Sequence, residues 1–311
     1  MDYLAIVIGL ILLIKGGDWL LESAIAMSLK LNIPKIVIGM TVVSFATSAP
    51  ELIVSVNAAL DGYSNLALGN IVGSNVANLA FVLGVVLLIT PISVPGAFYK
   101  MDWPFLFGSS LLFYFFILQD GVLSRWEGGL LLVLLMVFLV ILFFFQKKEL
   151  LENDIDSSTS ISTIKILNLF LVGGFCLWLG SEVLIKGAVD LATAIGVSER
   201  VISISVVSLG TSIPELSASI IAVINKEKGI SLGNLIGSNM FNILAVMGIT
   251  SLITPIGPID PELINKDFFW MLGITFVLLP LVLLPKKREL DRRSGALLLV
   301  VYFLFILKIF L

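Results

Sequence analysis

Histidine is absent from this 311-residue chain, and Cys176 is its only cysteine. An intrachain disulfide and any Cys/His metal centre are therefore excluded. A serine hydrolase is disfavoured for the same reason, since no imidazole is present to activate a hydroxyl. Charge is scarce as well: Asp, Glu, Lys and Arg make up 13% of the residues, against about 25% in soluble domains. The net charge is −3 and no basic tract occurs, so nothing in the sequence is suited to gripping nucleic-acid phosphates. What fills the chain instead is apolar: 58% hydrophobic residues and a mean hydropathy of +1.09. This composition predicts an all-α protein embedded in a membrane. Any bound cation must be held by oxygen, which favours hard ions such as Na⁺, Ca²⁺ or Mg²⁺. No organic cofactor and no protein partner are indicated; the implied partners are the lipid bilayer and inorganic cations. The N-terminus lacks a basic segment and a small-residue cleavage site, and reads as a retained first helix.

A bilayer-spanning helix needs about 20 apolar residues. That length gives ten candidate spans, at 3–27, 36–60, 65–90, 103–118, 126–145, 164–189, 200–224, 230–254, 268–285 and 295–311. The only extended polar segment, 147–163, reads as an acidic cytoplasmic linker between a first five-helix repeat (1–146) and a second (164–311). The halves echo one another. Glu51 and Glu215 are 164 positions apart, and so are Gly69 and Gly233, Ser74 and Ser238, Asn78 and Asn242, Pro91 and Pro255. With an odd number of helices per half, the second copy enters the membrane from the opposite side, giving two inverted-topology repeats. Loops after the odd-numbered spans carry thirteen Lys and Arg residues against four on the other side. The positive-inside rule then puts both termini outside the cytoplasm.

The paired motifs FATSAPEL at 45–52 and LGTSIPEL at 209–216 carry the chemistry. An ionised carboxylate within hydrocarbon is costly and rarely present without a function. Here Glu51 and Glu215 incur that cost at equivalent positions. Pro50 cannot donate to the carbonyl of Ala46, nor Pro214 to that of Gly210, so each helix should kink or unwind near 44–47 and 208–211. Such irregular backbone is tolerated at membrane depth only when buried in protein or lining a watery cavity. Thr47, Ser48, Thr211 and Ser212 add hydroxyls beside it. Carbonyls, hydroxyls and a carboxylate within one turn make a suitable cage for a hard cation.

The next spans repeat GNIVGSNVANLA at 69–80 and GNLIGSNMFNIL at 233–244. Gly69/Gly73 and Gly233/Gly237 are spaced for close helix approach. Ser74 and Asn78, like Ser238 and Asn242, are four apart and share a helix face. Singly, such side chains are ordinary interhelical glue; their joint repetition beside two acids points to ion binding. Asp18, Glu22, Glu182 and Lys186 stand outside any repeated polar motif and read as surface or cavity-facing.

Both halves of the chain resemble the two repeats of the cation/calcium exchanger superfamily, in its prokaryotic sodium/calcium exchanger branch. The resemblance implies ten helices in two inverted five-helix repeats, with ions bound between spans 2, 3, 7 and 8. Glu51 and Glu215 would be shared Ca²⁺ and Na⁺ ligands. The carbonyls of Thr47 and Thr211 would help coordinate Ca²⁺. Ser48, Ser212, Ser74 and Ser238 would serve flanking Na⁺ sites with backbone oxygens of Ser44 and Ser208, and Asn78 and Asn242 would line the centre. Spans 1 and 6 would form a sliding gating bundle. Two positions depart from the family pattern: Ala46 replaces a usual glycine, and Asn242 stands where several relatives have aspartate.

The implied activity is antiport of Ca²⁺ against Na⁺ by alternating access, in a prokaryotic cell membrane and without enzymatic chemistry. Two ionised glutamates are neutralised by one Ca²⁺ or two Na⁺, which makes the ions mutually exclusive. A third Na⁺ would make the cycle electrogenic, worth roughly 2.3 kcal/mol per charge per 100 mV. With amides at both 78 and 242, a proton/calcium exchanger stays open as the competing reading, and a cation channel is the third.

Overall fold

The computed structural model describes residues 2–146, 162–194, 208–284 and 288–310. Most of the 147–163 linker and the start of the seventh predicted span lie outside them. Apolar segments become helices because a backbone in lipid must satisfy its own hydrogen bonds. In chain order the principal helices are α1 (Asp2–Leu31), α2 (Lys35–Thr47), α3 (Ala49–Leu60), α4 (Ser64–Ile89), α5 (Phe98–Asp120) and α6 (Arg125–Gln146). They continue with α7 (Thr163–Ala194), α8 (Ile213–Ile224), α9 (Lys228–Ile253), α10 (Leu263–Leu283) and α11 (Arg292–Phe310). Among the described residues, six helices and the bent pair α2–α3 are long and apolar enough to cross a membrane.

Two helix starts differ from the sequence expectation in the same way. The fourth and ninth predicted spans begin at 103 and 268, whereas α5 and α10 begin five residues earlier, each with a wide π-helical turn, Phe98–Asp102 and Leu263–Asp267. Lys100, Asp102, Lys266 and Asp267 ended the apolar windows, yet charge at a helix start does not prevent helical backbone. Further π-turns recur at Ala77–Val82 in α4 and Asn242–Met247 in α9. Both helices then stop at an extended threonine, Thr90 or Thr254. The sequence repeat is thus accompanied by a repeat of local conformation.

The helices form two compact units. The first comprises Met1–Ala49 and Lys147–Asn234, the second Pro50–Gln146 and Leu235–Leu311, so each draws on both halves of the sequence.

In the first unit, α1 and α7 meet backbone to backbone. A Cβ on Gly16 would lie 2.9 Å from the Gly173 carbonyl oxygen, and one on Gly180 would lie 3.0 Å from that of Gly9. Gly9 and Gly173 are repeat equivalents, as are Gly16 and Gly180, so the crossing is built from one motif used twice. Leu13, Leu20, Leu177, Ala218, Ile221 and Ala222 fill the adjoining core with α8. Glu22 accepts from Lys165 at 3.1 Å on the exposed end of this pair, while Asp18, Glu182 and Lys186 are exposed. These four residues therefore fit the surface reading. The helix-approach expectation holds at Gly233, whose missing side chain admits the Ile36 carbonyl; Gly69 makes only ordinary contact, 3.6 Å from Leu263.

In the second unit, matched glycines again let helices close up. Gly84 of α4 meets Gly295 of α11, and Gly248 of α9 meets Gly128 of α6. A two-stranded antiparallel ladder pairs Ile92 with Leu290 and Ser93 with Glu289. The starts of α6 and α11 are capped by side chains. The backbone N–H and hydroxyl of Ser124 both donate to Glu127, at 2.8 and 2.6 Å. At α11, Asp291 accepts from the backbone N–H and hydroxyl of Ser294, both at 2.9 Å. Those bonds hold the Asp291 carboxyl below the ordinary aspartate range. A depressed folded value means that the contribution is present above the unfolded pKa, about 3.9, and is lost as pH falls through the folded one. Asp291→Ala is expected to cost about 1 kcal/mol at neutral pH. The gap between parent and variant in thermal unfolding midpoint should close as the pH falls below about 4.

Candidate ion-binding site

In the first unit Glu215 is buried and meets the hydroxyl of Ser48. The chain breaks at Ser212 (φ −89°, ψ 2°), and α8 starts with Pro214 and Glu215 in its first turn. Proline is tolerated there because the first helical N–H groups have no partner in any case. A carboxylate is favoured there because the helix N-terminus is electropositive. Ser48 occupies the matched break (φ −86°, ψ 5°) between α2 and α3, which bend by 44°. Glu51 follows in the first turn of α3. A break is present in each motif, but later than expected: Ser44–Thr47 and Ser208–Gly210 stay helical, the Ser44 carbonyl keeps the Ser48 N–H as its donor, and the helical path is interrupted only at Ser48 and at Thr211–Ser212. The Gly210 carbonyl, which Pro214 cannot reach with an N–H, accepts instead from the Ser181 hydroxyl at 2.8 Å.

Ser44, Thr47, Ser48, Thr211, Ser212 and Glu215 are all buried in this unit. Ser48 Oγ donates to Glu215 Oε1 at 3.4 Å. Ser44 Oγ lies between the carbonyls of Gly39 and Asn234, at 2.8 and 2.9 Å. The Ser44 carbonyl accepts from the Ser48 N–H at 2.9 Å and from Thr47 Oγ1 at 3.4 Å. Thr47 Oγ1 also reaches Asn234 Oδ1 at 3.1 Å, and Asn234 Nδ2 donates to Ser219 at 3.1 Å. Ser212 Oγ is buried with no hydrogen-bond partner among the described residues. The backbone of Ser208 belongs to the short helical turn Ser208–Gly210; its side chain lies outside the described residues.

The second unit holds Glu51, Ser74, Asn78, Ser238 and Asn242, each fully buried. Asn70 Nδ2 donates to Ser55 at 3.2 Å. Its repeat equivalent is the Asn234–Ser219 bond of the first unit, so one interaction is made twice at matched places. Asn242 Nδ2 donates to Asn75 Oδ1 at 3.1 Å, and Asn75 Nδ2 donates to the Asn239 carbonyl at 3.3 Å. The Asn78 amide and Asn242 Oδ1 are buried with no hydrogen-bond partner among the described residues. Ser55, Asn70, Asn75, Ser219, Asn234 and Asn239 are the polar residues that sequence reasoning left without a role. The four asparagines stand inside the repeated GN…GSN motifs, and the two serines keep the 164-residue offset, so the signal was available.

No group of three His, Cys, Asp or Glu side chains gathers among the described residues. The buried polar side chains named above are carboxylates, hydroxyls and amides, all oxygen-bearing groups of the kind that hard cations take as ligands.

Comparison with known proteins gives the family. The profile of the sodium/calcium exchanger protein family matches residues 1–144 and 165–311, and the chain belongs to that family. It is an integral, multi-pass membrane protein whose relatives exchange cations. Similar proteins include CaxA of Alkalimonas amylolytica, a candidate antiporter, 36% identical over 96% of this chain and 95% of that protein. The sodium/calcium exchanger MaX1 of Methanosarcina acetivorans is 29% identical over 99% of this chain and 98% of its own length. Among solved structures, the sodium-calcium exchanger NCX_Mj soaked with Na⁺ and Ca²⁺ superposes with a TM-score of 0.83 at 28% identity, covering 98% of this chain and 97% of that one.

Proposed function

We propose that this protein exchanges Ca²⁺ for Na⁺ across a prokaryotic cell membrane by alternating access, with Glu51 and Glu215 as ligands shared by both ions. Ten membrane spans in two inverted repeats, 1–146 and 164–311 joined by the cytoplasmic 147–163 linker, supply the two access states, and both termini face away from the cytoplasm. Thr47, Thr211, Ser44 and Ser208 contribute backbone oxygens, and Ser48, Ser212, Ser74 and Ser238 hydroxyls, while Asn78 and Asn242 line the centre. The observation that carries this reading is the burial of two glutamates at repeat-matched helix starts, each just beyond a serine break. The names of MaX1 and NCX_Mj support the choice of ions. The test is ⁴⁵Ca²⁺ uptake into proteoliposomes loaded with Na⁺. Uptake is expected to collapse when the outward Na⁺ gradient is removed, and uptake indifferent to that gradient overturns the reading.

Asn242 favours one alternative. An amide at that position leaves two central acids, and two carboxylates suffice to trade protons for Ca²⁺. Flux at fixed pH with and without Na⁺ separates the two, because a proton-coupled exchanger needs no Na⁺. Asn242→Asp is a further check. A third carboxylate in a low-dielectric site is repelled by the other two and takes up a cation or a proton. Transport by this variant is expected to depend more steeply on pH than the parent, with altered Na⁺ or Ca²⁺ dependence, and Asn78→Asp should behave alike. Asn65→Asp is the control. Asn65 is exposed and accepts from the Asp260 N–H at 2.8 Å, so its variant should keep the parental pH profile.

A further inference from the structure

The orientation of the Asn242 amide is set by another amide. Asn75 is 1% exposed, so water does not compete for its bonds. Its Oδ1 accepts from Asn242 Nδ2 at 3.1 Å, while its Nδ2 donates to the Asn239 carbonyl at 3.3 Å and lies 3.8 Å from Met271 Sδ. An asparagine side chain has one donating and one accepting end. Anchoring the Nδ2 of Asn242 therefore decides where its Oδ1 points. That oxygen is buried and accepts nothing among the described residues. A buried acceptor left without a donor is destabilising unless something positive meets it. Neutral amide oxygens are ordinary ligands for Na⁺ and Ca²⁺.

We propose that Asn75 is a positioning residue for ion exchange: by holding Nδ2 of Asn242, it presents Oδ1 of Asn242 to the transported cation. The proposal rests on the reading of Asn242 as a residue lining the ion site. An unanchored Asn242 could turn its Nδ2 toward the cation, replacing an attractive dipole with a repulsive one. The repeat does not duplicate this device. Asn239, the equivalent of Asn75, donates its Nδ2 back to Leu235 of its own helix at 2.7 Å. Oδ1 of Asn239 accepts nothing among the described residues, so the anchoring is made at Asn75 and not at its repeat equivalent.

The test titrates the purified full-length protein with Ca²⁺, and separately with Na⁺, and reads the ion-dependent rise in thermal unfolding midpoint, which yields an apparent Kd. Asn75→Ala and Asn242→Ala are each expected to weaken binding about 10-fold or more, the usual effect of losing an outer-shell partner or a neutral ligand. The double variant should be no weaker than Asn242→Ala within about 2-fold, because Asn75 acts only through Asn242. A merely structural role would lower the ion-free midpoint and leave the Kd unmoved. Losses that multiply in the double variant, or an unchanged Kd in Asn75→Ala, overturn the proposal. Should Asn75→Ala not fold, Asn75→Asp keeps the acceptor for Asn242 and adds negative charge. Its cation affinity must then hold or rise, and a fall overturns the proposal. A parent protein that responds to neither ion, or responds equally after Glu215→Gln, removes the exchange reading and this proposal together. A Glu215-dependent response indifferent to Asn75 removes this proposal alone.

Discussion

Glu51→Gln and Glu215→Gln are each expected to reduce Na⁺-driven Ca²⁺ uptake by about 100-fold or more, while the protein still folds and extracts as the parent does. Glutamine keeps the shape of the side chain and removes the charge. Leaving a buried charge without its partner costs about 3–5 kcal/mol, and each 1.4 kcal/mol is tenfold in binding. Glu215→Gln also retains an oxygen to accept from Ser48, so the local hydroxyl arrangement survives. In the absence of ions the neutral variants should unfold no earlier than the parent, since an ionised carboxylate at membrane depth is itself destabilising. Initial ⁴⁵Ca²⁺ uptake rates in proteoliposomes, paired with thermal midpoints of the same preparations, provide the check. Near-parental uptake by either variant means that its carboxylate does not hold the ion.

Gly173→Val should produce the second large effect, this time on folding. A Cβ on Gly173 would stand 2.7 Å from the backbone nitrogen of Leu20 and 2.9 Å from the Gly16 carbonyl oxygen. Both are main-chain atoms, so neither can yield by a change of rotamer. Overpacking of a close contact costs about 1–3 kcal/mol and more where nothing can move. Valine at this site forces α1 and α7 apart and loosens the apolar contacts beside the crossing. The expected result is a clear drop in the fraction of monodisperse protein after mild heating in detergent. Gly108→Ala is the control: a Cβ there meets nothing within 4 Å, and alanine is about 1 kcal/mol better than glycine within a helix. A heat profile for Gly173→Val that matches that of Gly108→Ala would mean the crossing tolerates separation.

Several of these features were legible in the sequence, for identifiable reasons. Glu51 and Glu215 stand out because an acid in an apolar run needs an explanation, and the breaks at Ser48 and Ser212 follow from proline lacking an N–H. That the Gly210 carbonyl would lose its helical donor could be read from Pro214. That Ser181 supplies a substitute could not, because the donor comes from another helix and depends on how α7 packs. The Asn70–Ser55 and Asn234–Ser219 bonds were hidden similarly: each joins residues fifteen apart whose meeting depends on the turn between helices. GxxxG spacing announces permission for close approach, not its use, as the contrast between Gly233 and Gly69 shows. The matched glycines of α1 and α7 carry the same 164-residue offset as the polar motifs, but a search led by polar residues passes over them.

Those glycines have a mechanical consequence. Helices that interlock through bulky side chains behave like a ratchet: to shift along one another, every knob must leave its hole and change rotamer together. Where Gly9, Gly16, Gly173 and Gly180 line the contact, backbone faces backbone and there is little to disengage. Such a surface acts as a plain bearing, on which small axial displacements meet a smooth profile with few discrete steps. A bearing with so little relief permits travel and sets no stopping point, so the end positions of any such movement have to be defined by other parts of the molecule.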